Sequence, residues 1–427
     1  MSRRRQQFSL RLSASITSTA VAVLVPSISW AIELDLMLPE GATKLPVLVD
    51  LVERYETENE GIDIRLNVVG FNIMLTQLPE QLDAGDGPDL AMITTLGALA
   101  EHYVDLTPYV DPEEWEEAYG AVLPWYRADR PEGIFGFHAE MTVTGPYVNL
   151  TMFDRADVEL PPPGATWDDW AKATMMVMDT VDSYAGMVMD RSGHRFAGPA
   201  MSYGAAYYSD DGGIVVDEGF RIFGEKLLSW HASGLMPPDI WPGKSGSSYA
   251  TGNELFFNQQ VPFYMSGSWN IGNVQMNTKG KFDWSVVPVP CGPAGCGVMP
   301  GGRGIVALKS GDTAKEEAAA RFVAWLGEET QAREWYTRIF AIPAHSGLQA
   351  EGLDYASAGA SRATAEGLAA FTAMAAVAAE QTPQAYRLQG DPRNVTIFGK
   401  TTTYLSAAIK GEMSLDEALQ RITQEVR

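Results

Sequence analysis

Cysteine is nearly absent from this chain, with two in 427 residues. That excludes a disulfide-dense scaffold and a cysteine-rich metal site. Basic residues are also few, 31 Lys and Arg against 54 Asp and Glu, for a formal net charge of −23. Nucleic acid and anionic membrane surfaces both demand a basic face, so neither is expected as a partner. The five histidines (His102, His138, His194, His231 and His345) are scattered. No G-x-S-x-G elbow, phosphate-binding G-x-x-x-x-G-K-[ST], H-E-x-x-H or helix-opening G-x-G-x-x-G is present, so the common catalytic signatures are missing. Asp83, Asp86 and Asp89 recur by three, whereas a calcium loop spaces its ligands by two. No metal and no cofactor are expected.

What is present is a globular composition, 46% hydrophobic and 20% charged, in a chain long enough for two domains. Residues 1–31 read as a signal peptide. Arg3, Arg4, Arg5 and Arg11 make its positive start, an apolar stretch is richest over Ala20–Val25, and Ser29 and Ala31 supply small residues before cleavage after Ala31. Pro26 ends the apolar run far short of the ~20 residues of a membrane span. The general export route is favoured over the twin-arginine one, because Phe8 sits one place late after Arg4-Arg5. The leader holds four arginines and no acid, so its removal leaves 27 basic against 54 acidic residues, a net −27. An exported protein meets an oxidising compartment. Cys291 and Cys296 flank Gly-Pro-Ala-Gly, and a disulfide across this short turn is expected. A structural zinc site there would need two more ligands.

Periodicity then orders the chain. Ile32, Leu34, Leu36 and Leu38 alternate as a strand, Leu45–Thr57 has helical spacing, and Ile62–Val68 alternates again. A helix around Met74–Asp83 and a short strand Asp89–Ile93 follow. This β-α-β-α-β order predicts a mostly parallel sheet with helices on its faces. Further strands are expected at Gly145–Leu150, Val261–Met265, Phe282–Val289 and Gly304–Leu308, and helices after the caps Thr166, Thr313 and Ser414. Tyr203–Tyr208 reads as helical, as does the alanine-rich Ala363–Ala379. No Gly/Ser linker divides the chain, so two domains that share it by crossovers fit better than two in series.

Loops carry the binding material. Ser266-Gly267-Ser268-Trp269-Asn270 follows directly on a strand, where Trp269 either presents its face to a ligand or packs the loop down. An aromatic plate ringed by amides and carboxylates suits a sugar, with its apolar C–H face and rim of hydroxyls. Gly301-Gly302-Arg303-Gly304 enters another strand. Its glycines let backbone approach a ligand closely, and Arg303 either touches that ligand or makes an ion pair. Trp115, Trp125, Trp230, Trp284, Trp325 and Trp335 lie inside element patterns and read as core.

Taken in order, these segments resemble the family 1 extracellular solute-binding proteins of ABC importers, the group that includes maltose binders. The resemblance rests on "LDAGDGPDLAMI" at Leu82–Ile93, "YVNLTMFDRADVELPPPGATWDDWAKA", "FNQQVPFYMSGSW", "GGRGIVALKSGDTAKEEAAARFVAWL" and "AIPAHSGL". It implies a type II-like periplasmic-binding-protein fold: two α/β lobes, hinge crossovers and a central cleft. The lobes would be 32–142 plus 300–342 and 143–299 plus 343–427. It implies a monomer in the periplasm that captures a sugar or sugar derivative and hands it to an ABC permease, with no chemical step. Site loops transferred residue by residue give Glu40 and Lys44, Thr94 and Thr95, Thr142 and Thr144, Tyr203 and Tyr207, Trp269, Arg303, and Tyr386 or Arg387. The threonines replace the acidic and aromatic run of several maltose-type binders, which argues against a maltose-like ligand. Arg303 and Arg387 leave room for an anionic sugar. The competing class is an exported glycoside hydrolase or lyase, which needs two facing carboxylates. A third reading is a binding protein that serves a membrane sensor.

Overall fold

A computed structural model describes residues 31–41, 44–128 and 130–426. Apart from Ala31 itself, the expected leader lies outside the described residues. Among the described residues no helix is long and apolar enough to cross a membrane.

Eight strands form the frame: β1 Ile32–Pro39, β2 Ile62–Val69, β3 Leu90–Ile93, β4 Phe137–Asn149, β5 Met187–Met189, β6 Phe263–Gly267, β7 Trp284–Val286 and β8 Pro300–Ala307. Their order is β2-β1-β3-β8-β4-β6-β5, with β7 also on β4. The β-α-β-α-β opening does give parallel neighbours, β1 against β2 and β3, and β5 and β6 are parallel too. The other pairings are antiparallel and all involve β4 or β8. β4 runs through both sheets, so the molecule is a mixed α/β fold, its sheets flanked by helices.

β4 makes the division visible. Its first part pairs with β8 as far as Val143↔Pro300, and its second part pairs with β6 from Thr144↔Gly267 onward. All thirteen of its residues are buried, which only a strand covered on both faces achieves. One apolar core runs through both halves. Leu36, Leu48, Leu90 and Phe322 pack on one side, and Trp167, Phe196, Phe223 and Phe263 on the other, all at most 1% exposed. Of the six tryptophans read as core, five are buried and Trp325 is partly so.

Helix starts follow their capping chemistry. Thr166 and Asp169 form a capping box, as do Ser414 and Glu417. One predicted cap moves: Asp312, not Thr313, accepts from the first turn of helix Thr313–Gly327, because a carboxylate there bonds two N–H groups at once. Tyr203–Tyr208 is not helical. Helix Gly193–Ser202 ends just before it, and Gly204 and Tyr207 adopt positive φ, which breaks the helical path. The strands expected at Val261–Met265 and Phe282–Val289 shift to Phe263–Gly267 and shrink to Trp284–Val286, because the prolines Pro262, Pro288 and Pro290 cannot donate to a ladder. Cys291 and Cys296 are joined by a disulfide.

Replacement of Thr166 by Ala removes one arm of a capping box and is expected to lower unfolding free energy by about 1 kcal/mol. Urea denaturation measures it; an unchanged midpoint would mean that Asp169 caps this helix alone.

Candidate functional site

The alternation of β4 sends Glu140, Thr142 and Thr144 to one side of the strand. A bulge falls between His138 and Glu140, and Glu140 pairs in register with Arg303 of β8. Lys44, at the start of helix Leu45–Glu58, reaches in from a third segment. Its Nζ donates to both carboxylate oxygens of Glu140, at 2.6 and 2.5 Å, and Arg303 Nε stands 3.3 Å away on the same carboxylate. Burial pushes the Glu140 carboxyl up, but Lys44 and then Arg303 outweigh it and hold it below the usual range. Burial first, and then the Arg303 cation, lowers Lys44 to about 8 against the pull of Glu140. Both members of the pair are thus shifted down, and the carboxylate stays ionised.

On the other side of the crossover, Trp269 follows β6 in the loop the sequence marked. It is partly exposed, and the Arg195 guanidinium lies 3.7 Å over its ring. Arg195 belongs to helix Gly193–Ser202, whose N-cap is Ser192. Its Nη1 donates to His194 Nδ1 at 2.5 Å, and His194 Nε2 in turn donates to the Pro300 carbonyl at 3.1 Å. Asp190, just before this helix, accepts from Tyr249 Oη at 2.8 Å and Ser266 Oγ at 2.7 Å. Tyr249 also bridges to the first sheet's side. Its N–H donates to Asn72 Oδ1 at 2.9 Å, Asn72 returns a bond to its carbonyl, and its ring meets Phe71 edge-on. Phe71 lies 6.0 Å from the Arg303 guanidinium. A compact polar and aromatic group therefore spans the junction between the two halves.

The predicted residues divide around this group. Trp269, Lys44 and Arg303 belong to it. Thr142 borders it, since a side-chain carbon added at Gly301 would meet Thr142 Oγ1 and His194 Nε2 at 3.2 Å. Thr94 and Thr95 are half-buried just past β3. Glu40 is exposed at the end of β1, and it is its backbone N–H that bonds, to Val69. Thr144 is fully buried, and its hydroxyl accepts from Met299 N–H, a bond that holds the crossover together. Tyr203 stacks on Phe223 and the buried Tyr207 packs on Phe220; both support helix Glu218–Ala232. The Tyr386 carbonyl accepts from Trp125 Nε1. Arg387 covers Tyr208 at 3.7 Å, beside a depression of about 720 Å³ rimmed by the disulfide turn.

The glycines of β8 serve a different purpose from the one expected. A side chain at Gly302 would strike the His138 ring and the Glu140 carbonyl, and one at Gly304 would strike Tyr126. They make room for the protein's own side chains. Sequence reasoning missed Glu140, Arg195, Tyr249 and the Phe71-Asn72 pair. Only Glu140 had a signal, the polar alternation His138, Glu140, Thr142.

The chain belongs to the bacterial extracellular solute-binding protein family, whose model matches residues 50–397. Among solved structures, the cyclic α-maltosyl-1,6-maltose binding protein of Arthrobacter globiformis is 19% identical with a TM-score of 0.68, covering 93% of this chain and 98% of its own. An ABC substrate-binding protein of Listeria monocytogenes in complex with cycloalternan is 18% identical with a TM-score of 0.74, covering 92% and 97%. The maltose/maltodextrin-binding domain of Bdellovibrio bacteriovorus, bound to maltotriose, is 15% identical with a TM-score of 0.74, covering 92% and 98%. At these identities the likeness is one of fold. No curated protein matches the chain.

Replacement of Glu140 by Gln leaves the buried Lys44 and the partly buried Arg303 beside a neutral amide. The expected loss is roughly 3–5 kcal/mol of stability, read from urea midpoints; a loss below about 1 kcal/mol would show that water or the two cations' own flexibility relieves the site.

Acid destabilises the protein through its buried histidines. Burial lowers His138 and His194 to about 3 and His231 to about 4. Between those values and about 6.5 the unfolded chain binds more protons than the native one, so stability rises with pH through that window. From pH 7 to pH 5, His138 and His194 together are expected to remove roughly 4 kcal/mol. A flat stability profile over that range would contradict it.

Proposed function

We propose that this protein is the periplasmic substrate-binding component of an ABC importer, a monomer that captures a sugar or sugar derivative and delivers it to the permease. The observation that carries this is the group at the lobe junction, where a partly exposed tryptophan plate stands among hydrogen-bonding side chains from both halves. Membership of the solute-binding family supports it. So do the sugar complexes among structures of the same fold.

The lobes run 32–142 plus 300–342 and 143–299 plus 343–427. The change of partner on β4 between Val143 and Thr144 supports the first boundary, and the bridge Met141↔Ile342 supports the last. Helix Ser346–Glu351 still leans on the first lobe, through a bond from Ser346 Oγ to the Glu117 carbonyl. Trp269 and Arg195 come from the second lobe, and Lys44, Glu140 and Arg303 from the first. Ligand bridging these walls stabilises the closed arrangement by contacts that the open one lacks. Hydrolase chemistry finds no support, because it needs a carboxyl with a raised pKa facing a second, free one. Glu140 is held low by two cations, and Asp190 is filled with donors.

Mass spectrometry of ligand co-purified with the native protein, followed by calorimetry with that ligand, tests the proposal. A sugar is expected, and its affinity should fall about 10- to 100-fold on replacement of Trp269 by Ala, as the loss of an aromatic stacking face at a binding hot spot. No sugar in the native preparation, and no binding to any neutral or acidic sugar tested, would overturn it.

A further inference from the structure

Acid dominates the charge of this protein, yet the buried group at the lobe junction has a surplus of cation. Lys44 and Arg303 share one carboxylate, that of Glu140. The second buried carboxylate, Asp190, accepts from four donors, none of them charged: the Gly252 N–H and the hydroxyls of Tyr264, Tyr249 and Ser266. Arg195 is left over. It is only 8% exposed, and among the described residues no carboxylate comes within ion-pairing distance of it. One N–H goes to His194, while its Nε–H is buried without a partner.

Arg191, just before the same helix, shows what a finished structural arginine looks like. It is fully buried, and its guanidinium donates to the carbonyls of Trp241, Ser248 and Gly246 and to the hydroxyl of Ser406. Arg195 has no such cage. A buried cation with unfilled donors is costly until a counter-ion arrives, and burial accordingly pulls its pKa below the ordinary arginine value. Its place also points to a ligand. The Tyr249 phenol stands by both Arg195 and Arg303, and the Tyr249 backbone is held by Asn72 from the first lobe. Arg195 therefore lies on the second-lobe wall of the junction, beside the plate that Trp269 still partly exposes.

We propose that Arg195 reads a carboxylate on the ligand, and that the ligand is an acidic sugar: a uronic acid, or an oligosaccharide with one uronate residue. The inference rests on the sugar-binding reading above and narrows it. The surplus is a single positive charge, Lys44, Arg195 and Arg303 against Glu140 and Asp190, and a carboxylate matches it. A phosphate monoester would bring nearly two negative charges. The planar guanidinium offers a two-pronged fork to the carboxylate, and stacking on Trp269 holds that fork in one plane.

Matched sugar pairs that differ only in CH2OH against carboxylate test this without assuming the natural ligand: glucose with glucuronate, and galactobiose and galactotriose with di- and trigalacturonate. Calorimetry on the purified protein is expected to show at least one uronate bound about 10- to 100-fold more tightly than its neutral partner, the range of a hydrogen bond to a charged group. Arg195→Gln is expected to abolish that preference, with uronate affinity falling at least about tenfold further than affinity for the neutral partner. Equal or tighter binding of the neutral members overturns the acidic-sugar inference and leaves the sugar-binding reading standing. Binding of neither member of any pair, with no sugar in the native preparation, overturns both. If Arg195→Gln fails to fold, Arg195→Lys decides. It keeps the charge but not the fork, so a reduced uronate preference supports the proposal and an unchanged one overturns it.

Discussion

Glu140 holds the junction of this molecule together. Its carboxylate is buried in the strand that serves both sheets, and it is balanced by Lys44 from the segment after β1 and Arg303 from β8. Glu140 and Lys44 are taken out of water here and Arg303 largely so, and each charge is satisfied by another. The neighbouring features follow from that fixed point. Gly302 must lack a side chain because the Glu140 carbonyl and His138 ring press on it, and Arg303 is aimed along the wall where Phe71 and Tyr249 close the gap.

The sequence made the repetitive parts of the fold readable and left the singular ones obscure. Alternation at Ile32–Leu38 and Ile62–Val68, and the boxes Thr166/Asp169 and Ser414/Glu417, are local signals with local causes, and each element formed where expected. The boundaries that moved lie beside proline or positive-φ residues: Pro262 at the start of β6, and Gly204 and Tyr207 after helix Gly193–Ser202. The first half of β4 was missed because its burial comes from pairing with β8, more than a hundred residues away.

The candidate site divides in the same way. Trp269 was legible because a tryptophan among small residues at a strand end is locally unusual. Arg195 was not, since nothing in "SGHRFAG" distinguishes it from any helical arginine; only the tertiary arrangement sets it over Trp269 and leaves its Nε–H buried without a partner. Tyr203 and Tyr207 carried a plausible local signal, yet the chain spends them on packing against Phe223 and Phe220. Thr144 was read as a ligand-loop residue, but its hydroxyl is consumed by the Met299 N–H.

The pairing of Leu90 with Ala307 carries a consequence for how the chain matures. β3 has a partner on one side early, through β1, but its other edge waits for a strand from the last third of the sequence. The early third is therefore an unfinished sheet with an open edge until β8 has been made. In a chain so arranged the first lobe's sheet is complete only after the segment around β8 has emerged.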